Sequence, residues 1–186
     1  IRVAKNDDVL IKKALDIGID GIIIPMVSSR IEAEKAMSGI FYPPDGNRGV
    51  GLSRAQDFGM GFELYKNEHK NLKVIFQIES VEAIKNLREI CSMQFLDSLI
   101  IGPYDLSTSL GVPGDFQNKK FRQALNQFEQ VCNMSHMPMG FHVISSKPED
   151  SIEKYKAGYS NIIYSIDFKI FQDILTEAIK KIRLSI

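Results

Sequence analysis

Six short apolar runs, each followed by a stretch of helical periodicity, recur along the chain. The runs cover residues 1–3, Gly21–Pro25, Lys73–Glu79, Ser98–Gly102, Met139–Ile144 and Asn161–Ile166. Between them, helices are predicted from Asp7 or Asp8 to about Ile17, from Ser28 or Ser29 through Met37, and over most of 53–67. Further helices are predicted over Ser80–Cys91, Phe116–Cys132, Pro148–Ala157 and Phe168–Ile182. Strand–helix alternation demands a parallel sheet with helices packed outside it. The near-continuous Ile, Val and Phe content of the runs fits strands buried on both faces. Either an open doubly wound sheet or a (β/α)8 barrel satisfies this pattern. No glycine-rich nucleotide fingerprint follows any run, which weakens the dinucleotide-binding form of the open sheet. A complete barrel needs about 250 residues, so the 186 present are read as one partial domain carrying about the last six units.

Composition narrows the function classes. With 44% hydrophobic residues, 23 basic against 23 acidic side chains and no net charge, the chain is not disordered. It also lacks the basic excess expected of a nucleic-acid binder. No apolar run reaches the roughly 18–20 residues of a membrane span. Cys91 and Cys132 have no metal-type spacing and read as reduced thiols of a cytoplasmic protein.

In both parallel architectures, chemistry gathers at the carboxyl ends of the strands. The run Lys73–Glu79 is the most informative, because alternation puts Ile75, Gln77 and Glu79 on one face. A carboxylate there must be paired, hydrogen-bonded or bound to a cation; helix capping or an arginine partner would also serve. One unit later comes Gly102-Pro103-Tyr104-Asp105-Leu106-Ser107. Asp105 fits a helix N-cap after a Gly-Pro turn, and it also fits a second ligand to a hard cation such as Mg2+ or Mn2+. Arg2 ends the first run and Arg48 sits in the Pro/Gly-rich loop 41–51. Each can clamp an anionic oxygen or serve a structural ion pair. By pattern alone Asp16 is a surface or inter-helix residue, His142 a strand histidine of the core type, and His69 and His136 loop residues. No serine has the partners of a hydrolytic triad.

These strand-end residues resemble the HpcH/HpaI aldolase/citrate lyase family of divalent-metal-dependent pyruvate aldolases. The resemblance is carried by Arg2 with Asn6-Asp7, Leu15-Asp16-Ile17-Gly18, Ile24-Pro25-Met26-Val27 and Tyr42-Pro43-Pro44 with Arg48-Gly49-Val50-Gly51. Gln77-Ile78-Glu79 and Gly102–Ser107 complete it. It implies a (β/α)8 barrel, incomplete here, and reversible retro-aldol cleavage of a 4-hydroxy-2-oxo acid or 2-keto-3-deoxy acid to pyruvate and an aldehyde. Glu79 and Asp105 match metal-ligand positions for Mg2+, Mn2+ or Co2+. Arg2 matches the arginine at the enolate oxygen, and Gln77 a pyruvate contact. Gly102, Pro103, Tyr104 and Asp105 match the turn that receives the substrate carboxylate. Asp16 matches an acidic position associated with the active site of the same or a neighbouring subunit.

The resemblance also implies a homo-oligomer whose partners are a small keto acid and an aldehyde, with neither nucleic acid nor membrane. The family's first two units, including an acidic–Gly-Glu-His segment that supplies the catalytic histidine, have no counterpart in the chain. An N-terminally truncated barrel, inactive or unstable alone, is therefore expected. Tyr104 replaces a usually small residue, and Gly140–Ile144 departs from better-known members, which leaves the aldehyde and the role of His142 open. An acyl-CoA lyase of the same superfamily and a non-catalytic barrel acting as a binding subunit are the alternatives.

Overall fold

Five strands form one all-parallel sheet in a computed structural model that describes residues 1–185. They are β1 (Gly21–Ile24), β2 (Lys73–Ile78), β3 (Ser98–Ile101), β4 (Met139–Val143) and β5 (Asn161–Tyr164), lying side by side in chain order. The order decides between the two architectures. A doubly wound sheet reverses at a switch point, whereas here every strand adds beside the previous one, as in a barrel wall. The run at 1–3 makes a single parallel bridge, Arg2 to Ile23. Around it Val3 donates its N–H to Ile23 and Ile23 donates to Ile1. Six runs thus become five strands and a bridged stub.

Side-chain parity divides the sheet into two faces. Ile22, Ile24, Val74, Phe76, Ile78, Leu99 and Ile101 are fully buried against the helices, each contributing roughly 1.5–3 kcal/mol relative to exposure. The other face carries Ile23, Ile75, Gln77, Ile100, Gly140, His142 and Ile163, and pairing sets Gln77 level with Ile100 and Gly140. Asp97 pins β2 to β3 at the end opposite the strand tips. Its backbone N–H donates to the Val74 carbonyl at 2.9 Å and its carboxylate accepts the Val74 N–H at 2.8 Å, while Lys73 approaches its other oxygen at 2.8 Å.

The first two helices start where the sequence says. α1 (Asp8–Asp16) is capped by Asp7, whose Oδ1 accepts from Val9 and Leu10. Gly18, at φ +86°, takes the left-handed turn beyond its end. α2 (Arg30–Ile40) is capped by Ser29. The expected helix over 53–67 is instead a 3-10 stretch, Arg54–Gly59, followed by α3 (Phe62–Glu68) and a second 3-10 turn at His69–Asn71. The helix expected over 80–91 breaks into α4 (Val81–Lys85) and α5 (Leu87–Cys91) at Asn86, whose side-chain amide donates to the Ser28 carbonyl at 2.8 Å.

α6 (Pro103–Ser109) starts ahead of the helix entrance that the sequence offers at Asp105, and proline suits its first position. Beyond it lie α7 (Lys119–Met134), α8 (Pro148–Lys156) and α9 (Asp167–Ser185). α9 leaves Phe168, Phe171, Ile174, Leu175 and Ile182 exposed. Cys91 and Cys132 are distant in sequence, but they come within hydrogen-bonding reach across α5 and α7. Among the described residues, no helix is long and apolar enough to cross a membrane.

Candidate active site

The polar residues of the sheet's inner face converge at the carboxyl ends of β2, β3 and β4. Arg2, on the bridged stub, donates from Nε to Oε1 of Gln77 at 2.8 Å. That bond fixes the amide, so Gln77 Nε2 turns toward β3. There it meets Gly102, where an added Cβ would lie 2.6 Å from both Gln77 Nε2 and Glu79 Oε2. Both side chains occupy the volume that any other residue at 102 would fill.

Glu79 follows β2 and is 1% exposed. Its Oε1 accepts the backbone N–H of Met26 at 2.8 Å, while Oε2 is buried with no partner. The Asp105 carboxyl lies close enough to hydrogen-bond with it. Burial pushes the Glu79 carboxyl up to about 7 against the pull of the Met26 N–H. The neighbouring Asp105 charge raises it further, and Arg2 opposes. Asp105 itself is not the N-cap of α6; Gly102 holds that position and Asp105 stands in the first turn.

A cavity of about 440 Å³ opens beside these groups. Arg2, Gln77 and Gly102–Asp105 form one wall; His142, Ile144, Ile163, Ser165 and Ile166 form the other. Tyr104 is half exposed at the rim and packs edge-on against Phe116 at 5.2 Å. His142 is half-buried and faces this cavity, where sequence reading favoured a satisfied core histidine. The clue was available: alternation through Met139–Val143 sets Gly140 and His142 opposite the buried Met139, Phe141 and Val143. Ser165 and the three isoleucines were not singled out, because nothing in an apolar run marks it as a cavity wall.

Asp16 is not among the cavity's lining residues. It ends α1, where Arg48 Nη2 reaches its Oδ1 at 2.9 Å and Lys12 its Oδ2 at 2.5 Å. The Arg48 side chain is completely buried, donates Nη1–H to the Tyr65 hydroxyl at 3.0 Å and lies over the Tyr42 ring at 4.8 Å. Its Nε has no partner. Loop 41–51 is thereby clamped to α1, and Arg48 serves the structural ion pair that its position left open. His69, read as a loop residue, is buried between Phe41 and Tyr42 and bonds the Ile40 carbonyl at 3.2 Å.

The donor set suits a hard divalent cation. A buried carboxylate oxygen without a partner, faced by a second carboxylate, is unfavourable unless protonated or bound to a cation. Mg2+-type ions are held by one or two carboxylates while water and substrate fill the other positions. Glu79 and Asp105 are the carboxylates that would hold it; among the described residues no group of three or more His, Cys, Asp and Glu side chains is suited to a metal. Arg2 and the Gln77 amide stand ready for an anionic oxygen beside it.

The family model described as HpcH/HpaI aldolase/citrate lyase matches residues 1–172. The chain is 31% identical over 173 residues to the 5-keto-4-deoxy-D-glucarate aldolase of Escherichia coli, an alignment covering 92% of this chain and 67% of that protein. Among solved structures, an HpcH/HpaI aldolase/citrate lyase family protein from Burkholderia cenocepacia J2315 superposes with a TM-score of 0.90 at 27% identity. It covers 98% of this chain and 72% of that one. An HpcH/HpaI aldolase from Desulfitobacterium hafniense DCB-2 shares the fold with a TM-score of 0.86 at 24% identity, covering 98% and 71%. The five strands are thus a curled part of a barrel wall.

Proposed function

The chain belongs to the HpcH/HpaI aldolase/citrate lyase family, and from that premise we propose that it forms the pyruvyl-binding part of a divalent-metal-dependent aldolase. The reaction is reversible cleavage of a 4-hydroxy-2-oxo acid or 2-keto-3-deoxy acid to pyruvate and an aldehyde. The carrying observation is the convergence of Glu79 and Asp105, with Glu79 Oε2 buried and unpartnered.

Glu79 and Asp105 would hold Mg2+, Mn2+ or Co2+, which when bound supplies Lewis acidity toward the 2-oxo group. In cleavage the C3–C4 bond breaks and its electron pair becomes the enolate of pyruvate. The 4-hydroxyl proton passes to a base, C4 becomes the aldehyde carbon, and C3 then takes up a proton. Arg2 sets a fixed positive charge beside the developing enolate oxygen. Its bond to Gln77 Oε1 leaves the amide N–H groups as the donors available to the keto acid. Gly102–Asp105 receive the substrate carboxylate at the start of α6. The same proposal includes a homo-oligomer, which sedimentation of the complete gene product checks.

The test combines pyruvate release from a panel of 4-hydroxy-2-oxo acids with calorimetric Mn2+ titration of Glu79→Ala and Asp105→Ala. Activity should vanish on chelation and return with metal, and each variant should bind Mn2+ about a hundredfold more weakly or worse. Activity that survives exhaustive chelation, or unchanged titrations, would overturn the reading.

A further inference from the structure

We propose that His142 is a specificity-determining residue: its Nδ1 accepts a hydrogen bond from a hydroxyl group on the substrate chain beyond the pyruvyl unit. The inference rests on the aldolase reading and names the residue that reads the aldehyde-derived portion of its hydroxylated oxo acids.

Position comes first. Register sets Gln77, Ile100 and Gly140 level on the inner face. One inner-face step toward the carboxyl ends, the corresponding positions are Glu79, Gly102 and His142. Gly102 contributes no side chain between the other two, and Gln77 and Glu79 lean into its place. His142 is therefore the next polar side chain across the mouth from the carboxylate pair, and it lines the same cavity as Arg2, Gln77 and Asp105.

Protonation follows from the ring's one hydrogen bond. Nε2 lies 3.3 Å from the Ser165 backbone oxygen. A carbonyl oxygen only accepts, so Nε2 carries the hydrogen. In the neutral tautomer with its hydrogen on Nε2, Nδ1 is the acceptor, and the ring makes no other hydrogen bond to the described residues. Ile144, Ile163 and Ile166 line the same cavity. An acceptor set in an apolar wall discriminates strongly for a donor, because a ligand lacking one leaves it unsatisfied. Arg2 and Gln77 take the pyruvyl oxygens at one side, so the group that reaches His142 belongs to the aldehyde-derived carbons. A hydroxyl supplies the donor that a methyl group cannot.

The experiment runs the reaction in the joining direction with the complete gene product and Mn2+. It compares glycolaldehyde with propanal, in which a methyl replaces the hydroxyl. The wild type should favour glycolaldehyde in kcat/KM, and His142→Leu should reduce that preference about tenfold. His142→Gln, which retains an acceptor, should keep part of it. The Kd of pyruvate, measured calorimetrically, should stay unchanged in both variants. A preference unaltered in His142→Leu, or an equal loss for both aldehydes, would overturn the role of His142 while leaving the aldolase reading intact. A wild-type protein that joins pyruvate to neither aldehyde would overturn both.

Discussion

Nε of Arg2 donates to Oε1 of Gln77 at 2.8 Å, joining residues 75 positions apart. The bond dictates which end of the Gln77 amide faces β3, and so what the space above Gly102 contains. A methyl group there would stand 2.6 Å from Gln77 Nε2 and from Glu79 Oε2. Neither side chain is free to retreat: Arg2 holds one and the Met26 N–H holds the other. Gly102→Ala is expected to weaken Mn2+ binding about tenfold or more, the scale of an overpacking penalty. The same overpacking should lower stability toward urea by about 1–3 kcal/mol. Calorimetry beside urea denaturation reads both losses.

Glu79→Gln should move stability and function in opposite directions. The substitution removes a buried, incompletely paired carboxylate, a group whose charge costs free energy in the absence of a cation. The metal-free variant should match or exceed the wild type by about 1 kcal/mol while losing Mn2+ affinity and pyruvate release. Urea denaturation in the presence of a chelator provides the comparison.

Arg48→Lys should be strongly destabilising although the charge is kept. The guanidinium is wholly buried, bonds Asp16 and Tyr65 through different nitrogens and lies over the Tyr42 ring. An ammonium cannot reproduce that planar fork. A loss of about 3 kcal/mol is expected, the scale of breaking a buried pair. Asp16→Asn, which leaves a neutral acceptor on a partly exposed residue, should cost less.

His69 gives the fold a pH response. Burial among Phe41 and Tyr42 lowers its basicity, against the pull of the Ile40 carbonyl. As pH falls through about 6.5, the unfolded chain takes up the proton before the folded one does, so the folded state loses stability. Glu79, raised to about 7, acts oppositely, because the folded chain binds its proton first. The wild type minus His69→Gln difference isolates the histidine. The wild-type advantage should shrink between about pH 7.5 and about pH 5.5, as read from urea midpoints.

The strand-end chemistry was legible because alternation is local. Gln77 and Glu79 announce themselves as polar groups at the end of an apolar run, and Asp105 follows one unit later. Arg48 and Asp16 were harder, since their pairing joins residues 32 positions apart through a loop that carries no period. The start of α6 was hidden because Gly102-Pro103 reads equally as a turn and as a helix entrance. The break at Asn86 depends on a carbonyl 58 residues away. The place of His142 beside the cavity was hidden for another reason. A histidine within an apolar strand has the same pattern whether its inward neighbour is packed protein or open space, and only the curvature of the sheet distinguishes them.

Asp97 lies at the far end of β3 from every group that would touch a ligand, yet it clips β2 to β3 at Val74. Were the strands to slide by one position, Phe76 and Ile78 would face inward while Gln77 and Glu79 disappeared beneath the helices. The turn at 92–97 is in that sense a calibration stop for the chemistry. An insertion or deletion there would erase reactivity without altering a single reactive side chain.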